Sequence, residues 1–390
     1  MMRSTVPAHI AFMTIPAHGH INPGLGLVRE LVSRGHRVTC PTTEEFGPKV
    51  RRTGAEPVFH TSVLPSPSSP NQKWPEELPA VQELFLRETE RVVAQLEEAY
   101  AGDRPDLILY DIAAFQAPVL AHRWGVPYLQ LSPTHVAFEG IEQQFDVQAT
   151  PELAKVQAEY DAYLARQGVE LDFTALTTPP RCIVTIPRSF QYRADTVSDA
   201  CTFVGPLLTE PEEPWQRPDD RPVLLVSMGS AYTKVPEFYR TCLAAFGGLD
   251  WHVVMSIGRM VDPAELGEIP DNVEIHPWVP QRAVLAQADL FITHAGMGGI
   301  CEALSHGVPM VAAPQAAEQF ANAARLEELG LGRQVDSGSV SPEQLRETAL
   351  AVHADPAVHR RLRAVRQEIA EAGGLQRAVE IVESMLPAAG

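Results

Sequence analysis

Three stretches of this 390-residue chain combine residue types that can do chemistry together. The first, A-H-G-H-I-N-P at 17–23, carries His18 and His20, and the second, L-I-L-Y-D at 107–111, ends on Asp111. An imidazole oriented by a carboxylate is the usual device for taking a proton from a hydroxyl, since the acid holds one tautomer and stabilises the charged ring. Two other readings of the histidines stay open: a hydrogen-bonded structural residue, or a zinc pair, although His-x-His without a third ligand nearby is a weak metal signal. The third stretch, I-T-H-A-G-M-G-G-I-C-E at 292–302, sets His294, Gly296, Gly298, Gly299 and Glu302 at the mouth of a helix. Glycines let the backbone come close to a ligand, and the first helix amides point outward without partners. With the positive end of the helix dipole they favour phosphate oxygens. His294 adds a side-chain donor, and Glu302, one turn further on, can accept from the two hydroxyls of a ribose. Trp278 upstream offers a flat surface for a base. Glu318 and Gln319 downstream offer a carboxylate and an amide for sugar hydroxyls.

These residues need a scaffold that gathers strand ends and helix starts. Short β-rich runs alternate with helical patterns along the chain, which predicts parallel sheets covered by helices. H-I-A-F-M-T-I (9–15) reads as a strand, followed by a turn and a helix over 24–34 that Gly35 ends; P-D-L-I-L-Y-D (105–111) reads as another strand. The pattern restarts at R-P-V-L-L-V-S-M-G-S (221–230), after a proline- and acid-rich segment that reads as a linker. The expected architecture is α/β, two Rossmann-like domains facing across a cleft. The expected boundaries are 1–205 for an acceptor-binding domain, 206–222 for the linker, 223–372 for a nucleotide-sugar domain, and 373–390 for a helix packing back on the first domain.

A net charge of -18, from 49 acidic and 31 basic residues, argues against nucleic acid or an anionic membrane as the main partner. Five scattered cysteines without C-x-x-C spacing indicate neither a disulfide framework nor a zinc site. The apolar run near the N-terminus is short and contains His9, and no segment approaches ~18 continuous apolar residues. The expected location is the cytoplasm, with no membrane span.

The run W-V-P-Q (278–281), then H-A-G-M-G-G-I-C-E (294–302), then P-Q-A-A-E-Q (314–319) closely resembles the donor-binding signature of the family 1 glycosyltransferases. These are inverting enzymes of the GT-B fold that use nucleotide sugars, and the likeness is strongest to bacterial macrolide glycosyltransferases. It implies that Trp278 stacks on uracil, that Val279 contacts it through its backbone, and that Gln281 and Glu302 hold the ribose. It gives the diphosphate to Ser230, His294 and the amides at 298–299, and the sugar to Glu318 and Gln319. The nearest members of the family have aspartate where Glu318 stands, which leaves the sugar less well defined. Members that use TDP-deoxysugars usually lack an acid at the position of Glu302, so UDP is favoured over TDP.

The same resemblance selects His20 as the base and Asp111 as its partner, with His18 in reserve. It implies no obligatory metal or other cofactor, the UDP-sugar being a co-substrate, and no D-x-D triplet occurs in the chain. The expected reaction moves glucose from UDP-glucose to a hydroxyl of a hydrophobic natural product, a macrolide or phenolic, giving a β-glycoside; self-resistance to an antibiotic is one role the relatives suggest. The rivals are a TDP-deoxysugar transferase, a nucleotide-sugar epimerase of the same architecture, and a non-catalytic sugar-nucleotide binding module. A dinucleotide oxidoreductase is disfavoured because no G-x-G-x-x-G follows the first strand. Phe85, Phe115, Phe138 and Phe145 are weak candidates for an apolar acceptor pocket. Neither acceptor identity nor oligomeric state is legible.

Overall fold

The computed structural model describes residues 7–66, 74–145, 147–209, 213–229, 233–316 and 318–386. In chain order the first part contains β1 (His9–Met13), α1 (His18–Ser33), β2 (Arg37–Thr42), α2 (Gly47–Arg51), β3 (Glu56–Phe59), α3 (Leu78–Ala99), β4 (Leu107–Asp111) and α4 (Gln116–Trp124). It continues with β5 (Tyr128–Ser132), α5 (Ile141–Gln144), α6 (Pro151–Arg166), α7 (Phe173–Thr177), β6 (Cys182–Val184) and β7 (Cys201–Phe203). The second part runs β8 (Val223–Ser227), α8 (Pro236–Phe246), β9 (His252–Ser256), β10 (Val273–His276), α9 (Gln281–Leu285), β11 (Leu290–Thr293) and α10 (Met297–His306). Then come β12 (Met310–Ala312), α11 (Glu318–Glu328), β13 (Gly332–Gln334), α12 (Pro342–Ala354), α13 (Pro356–Ala372) and α14 (Gly374–Glu383).

The chain divides into two compact units: one of residues 1–185, 193–207 and 373–390, the other of residues 186–192 and 208–372. The first holds a seven-stranded parallel sheet in the order β3-β2-β1-β4-β5-β6-β7, the second a six-stranded parallel sheet in the order β10-β9-β8-β11-β12-β13. In each, the strand order reverses once, between β1 and β4 and between β8 and β11. Such switch points open a crevice beyond the carboxyl ends of the strands, where ligands of doubly wound sheets sit.

The central strands β1 and β4 are buried along their whole length, which is why they read as largely apolar runs. Ile10 and Phe12 of β1 pack with Leu27, Val28 and Leu31 of α1 and with Val379 and Val382 of α14. Ala11 and Met13, on the opposite face, pack with Val92 and Leu96 of α3 and Leu120 of α4. Each fully buried aliphatic or aromatic side chain contributes about 1.5–3 kcal/mol. α1 lies so close to β1 that a Cβ on Gly24 would collide with the Phe12 ring; Gly24→Ala would push helix and strand apart.

The structure departs from the sequence reading at three places. The helix expected over 24–34 begins at His18, because the amides of His20 and Ile21 both bond the Ala17 carbonyl and Ile21 is buried. Pro23 sits inside α1, at the loss of one hydrogen bond, instead of marking its boundary. Residues 186–192, assigned by sequence to the first domain, pack with the second unit, where Arg325 donates to the carbonyls of Ser189, Phe190 and Gln191. Part of the segment read as a linker is also fastened to that unit, through an Arg217–Asp289 pair at 2.7 Å. At the other end of the second unit the chain leaves α13 through Gly373 and Gly374, at φ 89° and 48°, a left-handed pair that only glycine adopts without strain.

Candidate active site

Asp111 is the last residue of β4 and is 1% exposed. Its Oδ1 lies 2.7 Å from Nδ1 of His20, in the first turn of α1, and also accepts the Ala113 amide at 2.9 Å. An ionised carboxylate only accepts, so Nδ1 carries the proton and Nε2 is the basic nitrogen. The pair stands at the switch point of the first sheet, because β1 leads into α1 and β4 pairs directly with β1. His18 is turned elsewhere: its Nδ1 is 2.9 Å from Lys49 Nζ and its ring meets Phe46 edge-on. Burial first, then the neighbouring Lys49 charge, lowers the His18 pKa, with Glu45 opposing. The Nδ1 atoms of the two histidines therefore have different partners, and the carboxylate belongs to His20.

In the second unit, α10 begins at the switch point between β8 and β11. Its N-cap, Gly296, offers no side chain, so the amides of Met297, Gly298 and Gly299 have neither a capping side chain nor a preceding helical turn to bond. A Cβ on Gly298 would meet nothing within 4 Å, so the backbone there is open to a ligand. The His294 ring lies in a slot between two glycines: a Cβ on either Gly229 or Gly296 would collide with it. Burial drives the His294 pKa down to about 4, and the Ser227 carbonyl opposes this only in part. The ring is therefore neutral near pH 7, offering one N–H and no charge. Ala295, next to it, adopts a left-handed φ of 64°.

Glu302, one turn into α10, accepts from Gln281 Nε2 at 2.7 Å, which joins the start of α9 to α10. Burial raises the Glu302 pKa, against the Gln281 hydrogen bond and the Arg282 charge. Such a carboxylate gains from any further hydroxyl donor. Trp278, just past β10, is 58% exposed, whereas Val279 beside it is buried. After β12, Glu318 opens α11 and is exposed, and Gln319 is buried with its Oε1 accepting from the amides of Gln315 and Ala316 at 3.0 and 3.3 Å. Gln319 therefore also shapes the loop before its own helix. Trp278, Gln281, His294, Gly296, Gly298, Gly299, Glu302, Glu318 and Gln319 all follow carboxyl ends of strands of one sheet. Ser230 lies outside the described residues.

The four phenylalanines form two pairs. Phe85 and Phe115 have ring centroids 5.7 Å apart, flanked by Trp74 and Tyr160; Phe138 and Phe145 are 6.4 Å apart, beside His135. Phe138 is buried and the other three are partly exposed. The sequence reading missed Gly229, Thr293 and Asn322, which set the His294 corner. A glycine closing the strand of V-S-M-G, in the position equivalent to the one after T-H-A, was the available signal for the first.

No described helix is long and apolar enough to cross a membrane. Residues 164–364 match the family described as UDP-glucoronosyl and UDP-glucosyl transferase. The chain is 47% identical over 400 residues to the oleandomycin glycosyltransferase of Streptomyces antibioticus, covering 100% of this chain and 93% of that protein. It is 39% identical to an NDP-glycosyltransferase of Bacillus licheniformis, covering 98% of each. The crystal structure of the glycotransferase of kitacinnamycin, 43% identical, superposes with a TM-score of 0.88 over 98% of this chain and 100% of that one. By its two parallel sheets and by these full-length likenesses, the chain is a GT-B glycosyltransferase and belongs to the UDP-glucoronosyl and UDP-glucosyl transferase family.

Proposed function

We propose that the protein transfers glucose from UDP-glucose to a hydroxyl of a hydrophobic natural product, a macrolide or a phenolic, with inversion at the anomeric carbon. The observation that carries the chemistry is the 2.7 Å contact between His20 Nδ1 and Asp111 Oδ1 at the switch point of the first sheet. An acceptor hydroxyl is far less acidic than imidazolium, so its proton must leave as the new bond forms. His20 Nε2 takes it, Asp111 stabilises the resulting cation, and the acceptor oxygen attacks the anomeric carbon from the face opposite UDP. The C–O bond to UDP breaks with its electron pair remaining on the diphosphate, and an α-linked donor gives a β-glycoside.

The donor roles in this reading go to residues beyond the strand ends of the second sheet. Trp278 stacks on the base, which Val279 contacts through its backbone, Gln281 and Glu302 take the ribose hydroxyls, and Glu318 and Gln319 take the sugar. The diphosphate sits on the N-terminus of α10 with His294 and, by the family resemblance, Ser230. Preorganised amides aimed at the charge developing on the leaving group provide the electrostatic stabilisation, so no metal is obligatory in this reading. Glu302 favours UDP, because a deoxyribose offers it one hydroxyl fewer. A macrolide acceptor is suggested by the likeness to the oleandomycin glycosyltransferase, with antibiotic inactivation as the corresponding role.

The test is a mass-spectrometric transfer assay with UDP-glucose or TDP-glucose, pooled macrolides and phenols, and EDTA. A product one hexose heavier, formed faster from UDP-glucose, is expected. Preference for the TDP donor would overturn the ribose assignment, and dependence on added metal the leaving-group assignment. UDP-glucose converted without any acceptor would point to the epimerase.

A further inference from the structure

Ala295 is a non-glycine residue in the left-handed region, fully buried, between the residue proposed to touch the diphosphate and the N-cap of α10. Such a conformation persists only where its surroundings hold it. Both backbone polar groups of Ala295 are fastened. Its N–H donates to Thr293 Oγ1 at 3.2 Å, and its carbonyl accepts from Asn322 Nδ2 at 3.0 Å. Asn322 is itself 0% exposed, and its Oδ1 has no hydrogen-bond partner among the described residues. A buried amide with one end unsatisfied is costly compared with a leucine of similar size. The donor end must therefore do something that an apolar side chain cannot.

Asn322 also lies one turn beyond Gln319 on α11, the helix that opens with Glu318. The corner it holds aims the His294 ring into the slot between Gly229 and Gly296 and starts α10 at Gly296. We propose that Asn322 is a positioning residue for the donor. By its single hydrogen bond to the Ala295 carbonyl it locks the left-handed corner that sets His294 and the α10 amides, and it ties that diphosphate seat to the helix bearing the sugar-side residues. This rests on the donor site proposed above. Asn322 is fully buried, so in this account it acts through that corner.

The test is a double-mutant cycle on the full-length protein, with UDP affinity by calorimetry, kcat and KM for UDP-glucose, and unfolding temperature. Asn322→Ala is expected to weaken UDP about tenfold in the folded protein, equivalent to about 1.4 kcal/mol, the scale of strain at a left-handed alanine. Glycine adopts this conformation without strain, so Ala295→Gly removes the need for the lock. In that background the same Asn322→Ala change is expected to cost less than about threefold. A purely structural role would lower the unfolding temperature in both backgrounds and show no such rescue. Asn322→Ser, which keeps a donor on a shorter arm, gives a milder loss with the same rescue and replaces Asn322→Ala if that variant does not fold. Unchanged UDP affinity in the Asn322 variants, or an equal loss in both backgrounds, overturns the inference while the donor site stands. A wild-type protein that binds no UDP overturns the donor site and this inference together.

Discussion

The switch point of the first sheet is furnished with side chains, and that of the second with backbone. At β1 and β4 the chemistry resides in an imidazole and a carboxylate 2.7 Å apart, on strands that pair directly. At β8 and β11 it resides in uncapped amides at the start of α10, in glycines that leave room for a ring, and in one left-handed alanine. In the proposed reading, one topology serves two tasks. An acid–base pair needs a proton acceptor held in one tautomer, whereas a diphosphate needs many donors that do not move. Side chains supply the former and the backbone the latter, because amides fixed by a helix require no reorganisation when an anion arrives.

The comparison breaks most visibly where a side chain is removed from the first edge. His20→Ala is expected to reduce kcat by about 10³-fold or more, and Asp111→Asn by about 10²–10³-fold, since the amide leaves the ring but misdirects its tautomer. Steady-state rates at saturating UDP-glucose check both, and a loss under tenfold in either would detach the pair from catalysis. At the second edge the effect moves to binding. Glu302→Ala is expected to weaken UDP by about 10–100-fold, the size of a charge-assisted hydrogen bond to the ribose, and TDP by clearly less. Equal losses for the two nucleotides would remove the ribose from Glu302.

The smallest effect is on stability. The His294 pKa is depressed to about 4 in the folded protein, below the ordinary 6.5 of the unfolded chain. As pH falls from 6.5 towards 4, the unfolded state takes up a proton that the folded state refuses, so the native protein loses stability. His294→Asn does not carry this penalty. The unfolding temperature of the wild type should therefore fall relative to that of the variant by a few degrees across this range. A difference independent of pH would mean the ring is not buried as described.

How much could be read from the sequence follows the same division. That His20 and Asp111 meet was legible in part, because Asp111 ends one apolar run and His20 follows soon after another; the choice of His20 over His18 needed the family resemblance. The start of α1 was not legible. Pro23 is a boundary signal by local rules, and the burial of Ile21 that overrides it is a tertiary fact. The glycines at 296, 298 and 299 marked the uncapped start of α10, to which the proposed reading gives the diphosphate. The slot that Gly296 forms around His294 with Gly229 did not show, since it joins the ends of two strands far apart in sequence. Nor did the assignment of residues 186–192 to the second unit, which depends on Arg325 reaching three successive carbonyls. Asn322 carries no signal in the sequence, because its amide acts on the Ala295 carbonyl 27 residues away.

The central claim is that the first edge acts on the acceptor and the second holds the donor. Its most direct test is a calorimetric titration of UDP into the His20→Ala variant beside the wild type. Dissociation constants within about twofold of each other are predicted, because the removed ring belongs to the acid–base pair and not to the nucleotide site. A tenfold or greater loss of UDP affinity in the variant would contradict that division and return His20 to the donor.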